Sequence, residues 1–453
     1  MATQKVSSAM TTAHRNRPVW LIGIVIIAAI SLALLIISSA GVSLPLYLLA
    51  SAIVTFDGID ILVRLWRRRN ASRRAAREPE QAGKPRPYAI VVSIHNMERD
   101  IDLLLESLQP YRSKVWIIDD ASTDSTLNRV RGFGWRIVAS SRNRKKPGAI
   151  NELLTHLPDE IGTVLVMDPD VRLPADLDER IHAFQHSGAA AMSPKVTVRP
   201  DGALAEMQQI EYALSFDLGR HSLSPQAVTS GAAVYDRRVL QDVLQHHSLS
   251  VYGEDLENAV TILGNGMDIV YDPKLVLETE GKRELPGLFS QRVGWAFSLF
   301  KVFSEHKRDV WNAMRRSSMG FYQFGVYFVV FGMLLWPLKI ISIVLLTLSG
   351  VNALDEVLAL GLIDNNSLNH PSYIAASYIK YTAIICGCFL IVSPAASIRR
   401  SLPLIPFFFF YALFLVVPTT LGYLNWICLR LFGVRLYADH YDADPVLGRE
   451  RAS

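Results

Sequence analysis

Two kinds of apolar pattern divide the chain. From Tyr88 to about Glu280, short β-branched runs at residues 88–94, 115–118, 136–138, 163–167 and 228–235 alternate with helically spaced segments at 100–108, from Thr123, and at 148–157. Strand runs separated by helices predict βαβ units, so this segment reads as α/β, a mostly parallel sheet with helices on both faces. Sheets of this kind bind ligands outside the carboxyl ends of their strands, which directs attention to the residues that follow each run. On either side the pattern changes to long apolar runs. Residues 19–39 carry no charge and are long enough to cross a hydrocarbon core about 30 Å thick. A second run at 44–63 follows closely and predicts a helical hairpin, and further spans are expected at 321–348, 373–392 and 402–427. Between Pro286 and Ser317, Leu288, Phe289, Trp295, Phe297, Phe300 and Phe303 interleave with Arg292, Lys301, Lys307 and Arg308, the pattern of helices that lie in a membrane interface.

Composition agrees with that division. Of 453 residues 50% are hydrophobic and 19% charged, more apolar than an ordinary soluble enzyme. Arg64, Arg67, Arg68, Arg69, Arg73, Arg74 and Arg77 follow the second span, which puts that end and the N-terminal tail on the cytoplasmic side by the positive-inside rule. A polybasic run can also bind nucleic acid, but beside a span the membrane reading is favoured and no nucleic-acid partner is expected. Cys386, Cys388 and Cys428 all lie in apolar segments, which suits buried small side chains rather than disulfides or metal ligands. The resulting organisation is a tail at 1–18, a transmembrane hairpin at 19–66, a basic linker at 67–87, the α/β domain at 88–284, interfacial helices at 285–318, C-terminal spans at 319–430 and a tail at 431–453. That last segment is too short for an appended cyclic-dinucleotide-sensing domain.

The chemistry-bearing residues stand at the ends of the runs. Asp119 and Asp120 follow the second strand; Asp120 or Ser122 could cap the next helix, and a pair of acids there is also placed to hydrogen-bond a nucleotide base or ribose. Asp168-Pro169-Asp170 follows the strand at 163–167. An Asp-x-Asp at that place can bind a hard divalent ion through oxygen, Mg²⁺ or Mn²⁺, with water and a diphosphate completing the shell. Between them Lys145 and Lys146 open a helix, where a cation and free backbone amides both attract phosphate. Glu254-Asp255 begins another helix, as caps or as a general base toward a sugar hydroxyl. No P-loop and no suitably placed G-x-G-x-x-G occurs, which argues against P-loop enzymes and dinucleotide oxidoreductases.

Taken in order, S-I-H-N-M-E (93–98), I-D-D-A-S-T-D (118–124), K-P-G-A-I-N (146–151), M-D-P-D (167–170), T-S-G-A-A-V-Y-D (229–236), G-E-D-L-E (253–257) and Q-R-V-G-W (291–295) resemble the membrane-bound family 2 glycosyltransferases with a GT-A catalytic domain, the group of cellulose, chitin, hyaluronan and poly-N-acetylglucosamine synthases. The resemblance implies a cytoplasmic Rossmann-like mixed-sheet domain between N- and C-terminal transmembrane helices, in the inner (plasma) membrane. It implies that Asp119 and Asp120 contact the nucleotide with Ser93 and His95 nearby, that Lys146 lies near the nucleotide, and that Asp168 and Asp170 serve the UDP-sugar diphosphate and its metal. It implies Asp255 as catalytic base beside Glu254 in an inverting transfer, and places Ser230, Gly231, Gln291, Arg292 and Trp295 at the acceptor.

The sequence departs from the family pattern at one position. The family motif is Gln-x-x-Arg-Trp, whose Arg helps to hold the diphosphate, and here that position is Gly294. Arg292 stands roughly 200° around the helix from it, at about 100° per residue, a poor substitute, and Lys282 and Arg283 are the other cations at hand. The leading expectation is a processive synthase that extrudes a β-linked glycan through the lipid bilayer, with room for an accessory export or regulatory subunit. Single transfer of a sugar to a lipid acceptor is the rival, and a silent membrane partner of another synthase the third reading. Asp57 and Asp60, at the inner end of the second span, are expected to pair with the arginines that follow.

Overall fold

A computed structural model describes residues 59–72, 86–248, 252–334, 336 and 371–437. The expected span at 19–39, most of the hairpin at 44–63 and the end of the span expected at 321–348 lie outside them. The chain divides into two compact units, residues 1–67 with 341–410, and residues 68–340 with 411–453.

In the first unit a helix occupies residues 59–67 of a longer run to 72, and within it Arg64 pairs with Asp60 at 2.9 Å, as the sequence leads one to expect. The helix Pro371–Val392 coincides with an expected span. Among the described residues one helix, 395–432, is long and apolar enough to cross a membrane.

The second unit is built on a seven-stranded sheet in the order β3-β2-β1-β4-β6-β5-β7. The strands are β1 Tyr88–Ile94, β2 Val115–Asp119, β3 Ile137–Ala139, β4 Thr163–Met167, β5 Ala191–Val198, β6 Ala233–Asp236 and β7 Ile269–Thr279. The helices between them are α1 Ile101–Leu108, α2 Thr126–Gly132, α3 Lys145–Thr155, α4 Leu177–Gln185, α5 Ala203–Ala213, α6 Arg237–Gln245 and α7 Glu254–Gly264. α5 runs on through a wider π-helical stretch, Leu214–Arg220. Then come α8 Leu285–Glu305, α9 Lys307–Arg316 and the long α10 Ile405–Phe432, which enters this unit at Tyr411.

The sheet is buried on both faces, and β1 shows why. Successive side chains of a strand point to opposite faces. Ala89 and Val91 join the cluster that holds Ile150, Leu153 and Leu154 of α3 and Val260 and Leu263 of α7, whereas Ile90, Val92 and Ile94 join the cluster of Ile101, Leu104 and Leu108 on α1 and Ile181 on α4. A run that is apolar at every position but Ser93, Y-A-I-V-V-S-I, is therefore what a two-sided core demands. β1, β2, β3 and β4 are parallel, while β6 runs antiparallel to both β4 and β5. The sheet is mixed, and the register of β6 has a direct consequence. Val166 lies opposite Ala233, so continuing the ladder by two residues brings Gly231 to face Asp168.

β5 and β7 are absent from the pattern reading because each contains a proline and charged residues. Ser193-Pro194-Lys195 and Asp272-Pro273-Lys274 interrupt the apolar runs, and the β5–β7 ladder shifts register between Pro194 and Lys195. Proline inside a sheet is found at such irregularities, where no ladder hydrogen bond is lost.

Candidate active site

The loops after β1 and β2 and the start of α3 form one bound unit at the carboxyl edge. The Asn96 amide donates to Ser122 Oγ at 2.9 Å, the Thr123 amide to Asn96 Oδ1 at 2.8 Å, and the Met97 amide to Thr126 Oγ1 at 2.7 Å. Among the described residues three non-glycine residues have positive φ, Asn96 at 50°, Ala121 at 58° and Lys145 at 61°, and all three sit in this edge. Left-handed backbone outside glycine costs energy, and its gathering here marks a surface shaped for a purpose other than stability.

Asp119 and Asp120 do not cap α2. That helix begins at Thr126 without a side-chain cap, Ser122 serves Asn96, and Asp120 Oδ1 instead accepts from the Arg144 amide at 2.7 Å, just ahead of α3. Desolvation raises the Asp120 carboxyl above its ordinary range, against the pull of that amide. The Asp120 carbonyl accepts from His95 at 2.8 Å, so Nδ1 carries the His95 proton and Nε2 faces the Asn96 side-chain amide at 3.1 Å. Asp119 is buried; its Oδ2 accepts from the Ser122 amide at 3.1 Å, while Oδ1 has no protein partner. A buried carboxylate oxygen with no donor is costly, and a ligand N–H or O–H would satisfy it. Ser93 lies half-buried on β1, in register with Ile118.

A second set of residues converges on Lys146. Its Nζ lies 2.5 Å from Asp168 Oδ1, 2.9 Å from Glu254 Oε1 and 3.0 Å from the Gly231 carbonyl oxygen, so three loops meet at one ammonium. Desolvation works to lower the Lys146 pKa, but Asp168 and Glu254 outweigh it and hold the ammonium above its ordinary range. Asp168 is pushed up to about 7 by desolvation, with Asp170 and Glu254 adding to the rise and Lys146 opposing it. Asp170 is also raised by desolvation, and its Oδ2 accepts from Thr279 Oγ1 at 3.1 Å. Asp255 is pushed up to about 6 by desolvation and by Glu254, with Arg220 and Lys146 pulling the other way. The Thr229 hydroxyl donates to the Asp255 carbonyl at 2.7 Å, and the Ser230 hydroxyl to the Ala232 carbonyl at 2.8 Å.

Gly231 is required here by space. A Cβ on it would lie 1.9 Å from Asp168 Oδ2. Arg220, which the sequence did not single out, stacks on Phe216 at 3.9 Å, keeps a buried Nη1 without a partner and acts electrostatically on Asp255. It lies in the π-helical stretch, a feature frequent at functional sites, and no motif marks it.

The Q-R-V-G-W stretch falls on α8. Arg292 is buried at 5% exposure, pairs with Glu211 at 2.8 Å, donates from Nη1 to Gln291 Oε1 at 2.8 Å and stacks over the Trp295 ring at 4.0 Å. Glu211 also accepts from the Tyr411 hydroxyl at 2.6 Å. Arg292 is therefore committed to Glu211, and Trp295, 41% exposed, is the part of this stretch that faces solvent. Lys282 donates its amide to Gln208 Oε1 at 2.9 Å and Arg283 pairs with Asp201 at 3.0 Å.

Asp168 and Asp170 offer the oxygen donors that suit Mg²⁺ or Mn²⁺. Among the described residues no group of three or more His, Cys, Asp or Glu is placed to hold a metal.

Residues 89–244 match the family model of Glycosyl transferase family 2. No curated protein matches the chain. Among solved structures, a mannosyltransferase of Pyrobaculum calidifontis in complex with GDP-Man and Mn²⁺ is 17% identical with a TM-score of 0.44, over 74% of this chain and 96% of that one. Glucosyl-3-phosphoglycerate synthase from Mycobacterium tuberculosis, in complex with Mn²⁺, UDP-glucose and phosphoglyceric acid, is 18% identical with a TM-score of 0.35, over 51% and 82% of the two chains. Over residues 89–244 the chain carries a glycosyltransferase domain of family 2.

Proposed function

We propose that the chain transfers sugar from a UDP-sugar by a single inverting displacement at the cleft around Lys146, on the cytoplasmic face of a membrane, and builds a β-linked polysaccharide that passes through its own spans. The observation that carries the reading is the meeting of Asp168, Glu254 and the Gly231 carbonyl on the Lys146 ammonium. It joins the acidic pair after β4, the loop before β6 and the acids that open α7, each on a different part of the sequence.

In this reading Asp119 Oδ1 and the Asp120 loop take the base and ribose, with Ser93 and His95 beside them, and Asp168 and Asp170 hold the divalent ion. When bound, that ion neutralises negative charge on the donor's diphosphate. Asp255 takes the proton of an acceptor hydroxyl. The acceptor oxygen then forms a bond to the anomeric carbon as the bond from that carbon to the phosphate oxygen breaks, and the electron pair leaves with UDP. A base with a pKa of about 6 is largely ionised at neutral pH yet still able to take a proton, the compromise general bases require. Glu254 shares Lys146 with Asp168 and so ties the base's helix to the donor side. Trp295 offers a ring face to an acceptor sugar, and Ser230 and Gly231 are assigned to the acceptor as well. The helix at 395–432 supports membrane residence.

Single transfer to a lipid acceptor is the second reading. It is favoured by Arg292, whose guanidinium is held by Glu211 and is not available to grip a diphosphate between successive additions. The test is purified protein with Mg²⁺ or Mn²⁺ and a panel of radiolabelled nucleotide sugars, with the product sized. Polymer supports the first reading and one added sugar the second. Asp255→Asn is expected to lose transfer by about 10²-fold or more; wild-type turnover from that variant would remove the assignment.

A further inference from the structure

The glycine at 294 is a seat. A Cβ built on Gly294 would lie 2.7 Å from both Cδ2 and Cε2 of Tyr252 and 2.8 Å from its Cγ, closer than real side chains approach one another. The Tyr252 ring therefore rests on the bare backbone of α8. One residue on, Gly253 adopts φ +81° as the residue ahead of α7, and a Cβ there would meet Ser298 Cβ at 2.5 Å. Positions 294 and 298 are one turn apart on the same face of α8, and the Ser298 hydroxyl donates to the Gly294 carbonyl at 2.8 Å. Two consecutive residues of the loop thus lie on two consecutive small residues of one helix stripe, and the next two residues are Glu254 and Asp255.

We propose that Tyr252 is a positioning residue for the acid pair, its ring on Gly294 fixing the left-handed Gly253 turn from which Glu254 and Asp255 start α7. The seat explains why the motif arginine is missing, because any side chain at 294 takes the place of the Tyr252 ring. It also binds α8, which carries Trp295, to the loop that carries the base. α8 is also packed closely against α10, since a Cβ on Gly422 of α10 would lie 2.5 Å from the Val293 carbonyl oxygen.

The inference rests on the transferase reading for its consequence but not for its geometry, and the test separates the two. Gly294→Ala, Gly294→Arg, Tyr252→Ala, Tyr252→Phe and the double variant Tyr252→Ala/Gly294→Ala are compared in transfer rate and in melting temperature. A displacement of the acids approaching 1 Å is expected to lower kcat roughly tenfold to a hundredfold in Gly294→Ala with little change in donor KM, and Gly294→Arg is expected to lose at least as much. Tyr252→Phe keeps the ring and most of kcat. Removing the ring relieves the clash, so Gly294→Ala does no further harm in the Tyr252→Ala background. A gain of kcat in Gly294→Arg, or additive losses in the double variant, would overturn the proposal. If the wild type transfers no sugar from any nucleotide donor, the transferase reading fails instead. The melting-temperature cycle still decides the seat, which requires Gly294→Ala to destabilise the wild type more than it destabilises Tyr252→Ala.

Discussion

Gly231→Ala isolates a single steric demand. The added Cβ would lie 1.9 Å from Asp168 Oδ2 and 3.0 Å from its Cγ, against an ordinary non-bonded approach of about 3.5 Å. The carboxylate must retreat by more than about 1 Å, and it cannot do so while Oδ1 stays 2.5 Å from Lys146. Gly231 does not have positive φ, so alanine brings no backbone strain and the loss is one of position. A misplacement of about 1 Å in a reacting assembly costs about a hundredfold in rate, or about 2.7 kcal/mol in the barrier. Overpacking costs about 1–3 kcal/mol of stability, so a folded variant is expected with a melting temperature a few degrees lower. Initial rates of labelled sugar transfer at saturating donor measure the first effect, and a thermal scan the second. Gly132→Ala is the control, since nothing lies within 4 Å of a Cβ there. A Gly231→Ala protein that turns over at the wild-type rate would refute the argument that Asp168 is held in place for the reaction by this contact.

Two further outcomes follow from the charged groups. Lys146 pulls both Asp168 and Asp255 downward, so Lys146→Met raises both; the base must be ionised to act, and the acid limb of kcat, expected near pH 6 in the wild type, moves to higher pH. An unmoved limb would count against Asp255 as the titrating base. His306 is held above its ordinary value of 6.5 by its hydrogen bond to Glu257, against desolvation, with Asp309 adding to the rise. Because the folded value is raised, the stabilisation is complete below pH 6.5 and disappears as pH rises through the folded value. The melting-temperature gap between wild type and His306→Gln is therefore larger near about pH 6 than near about pH 9, and an equal gap at both would show that the pair contributes no pH-dependent stability.

What the sequence disclosed follows from where its information is local. β1, β2 and β4 are mainly apolar runs buried on both faces, and the acids at the ends of β2 and β4 stand out against them. β5 and β7 hide behind Pro194 and Pro273, where an irregular ladder tolerates what a regular one would reject. The capping roles considered for Asp120 and Ser122 fail for a non-local reason, since the partners they find, the Arg144 and Asn96 amides, are brought in by the fold. Arg220 carries no motif, and its influence on Asp255 depends on the approach of α5's π-helical extension to α7. Gly294 reads in sequence as the loss of an arginine, and only the ring of Tyr252, placed there by the chain's return, gives the vacancy a tenant.

The direction of β6 divides the cleft into two inheritances. Every parallel strand delivers its final residue to the carboxyl edge, so Asp119, Asp120, Asp168 and Asp170 are fixed by what precedes them in the chain. β6 runs the other way and delivers its first residues, which hang Ser230 and Gly231 beside Asp168 at the end of the long connection from β5. Residues 199–229 make that connection, and on the way they carry Glu211, which holds Arg292, and Arg220, which acts on Asp255. One wall of the cleft is thus set by the ends of the parallel strands and the other by a connection that must keep these partners while it returns the chain to β6.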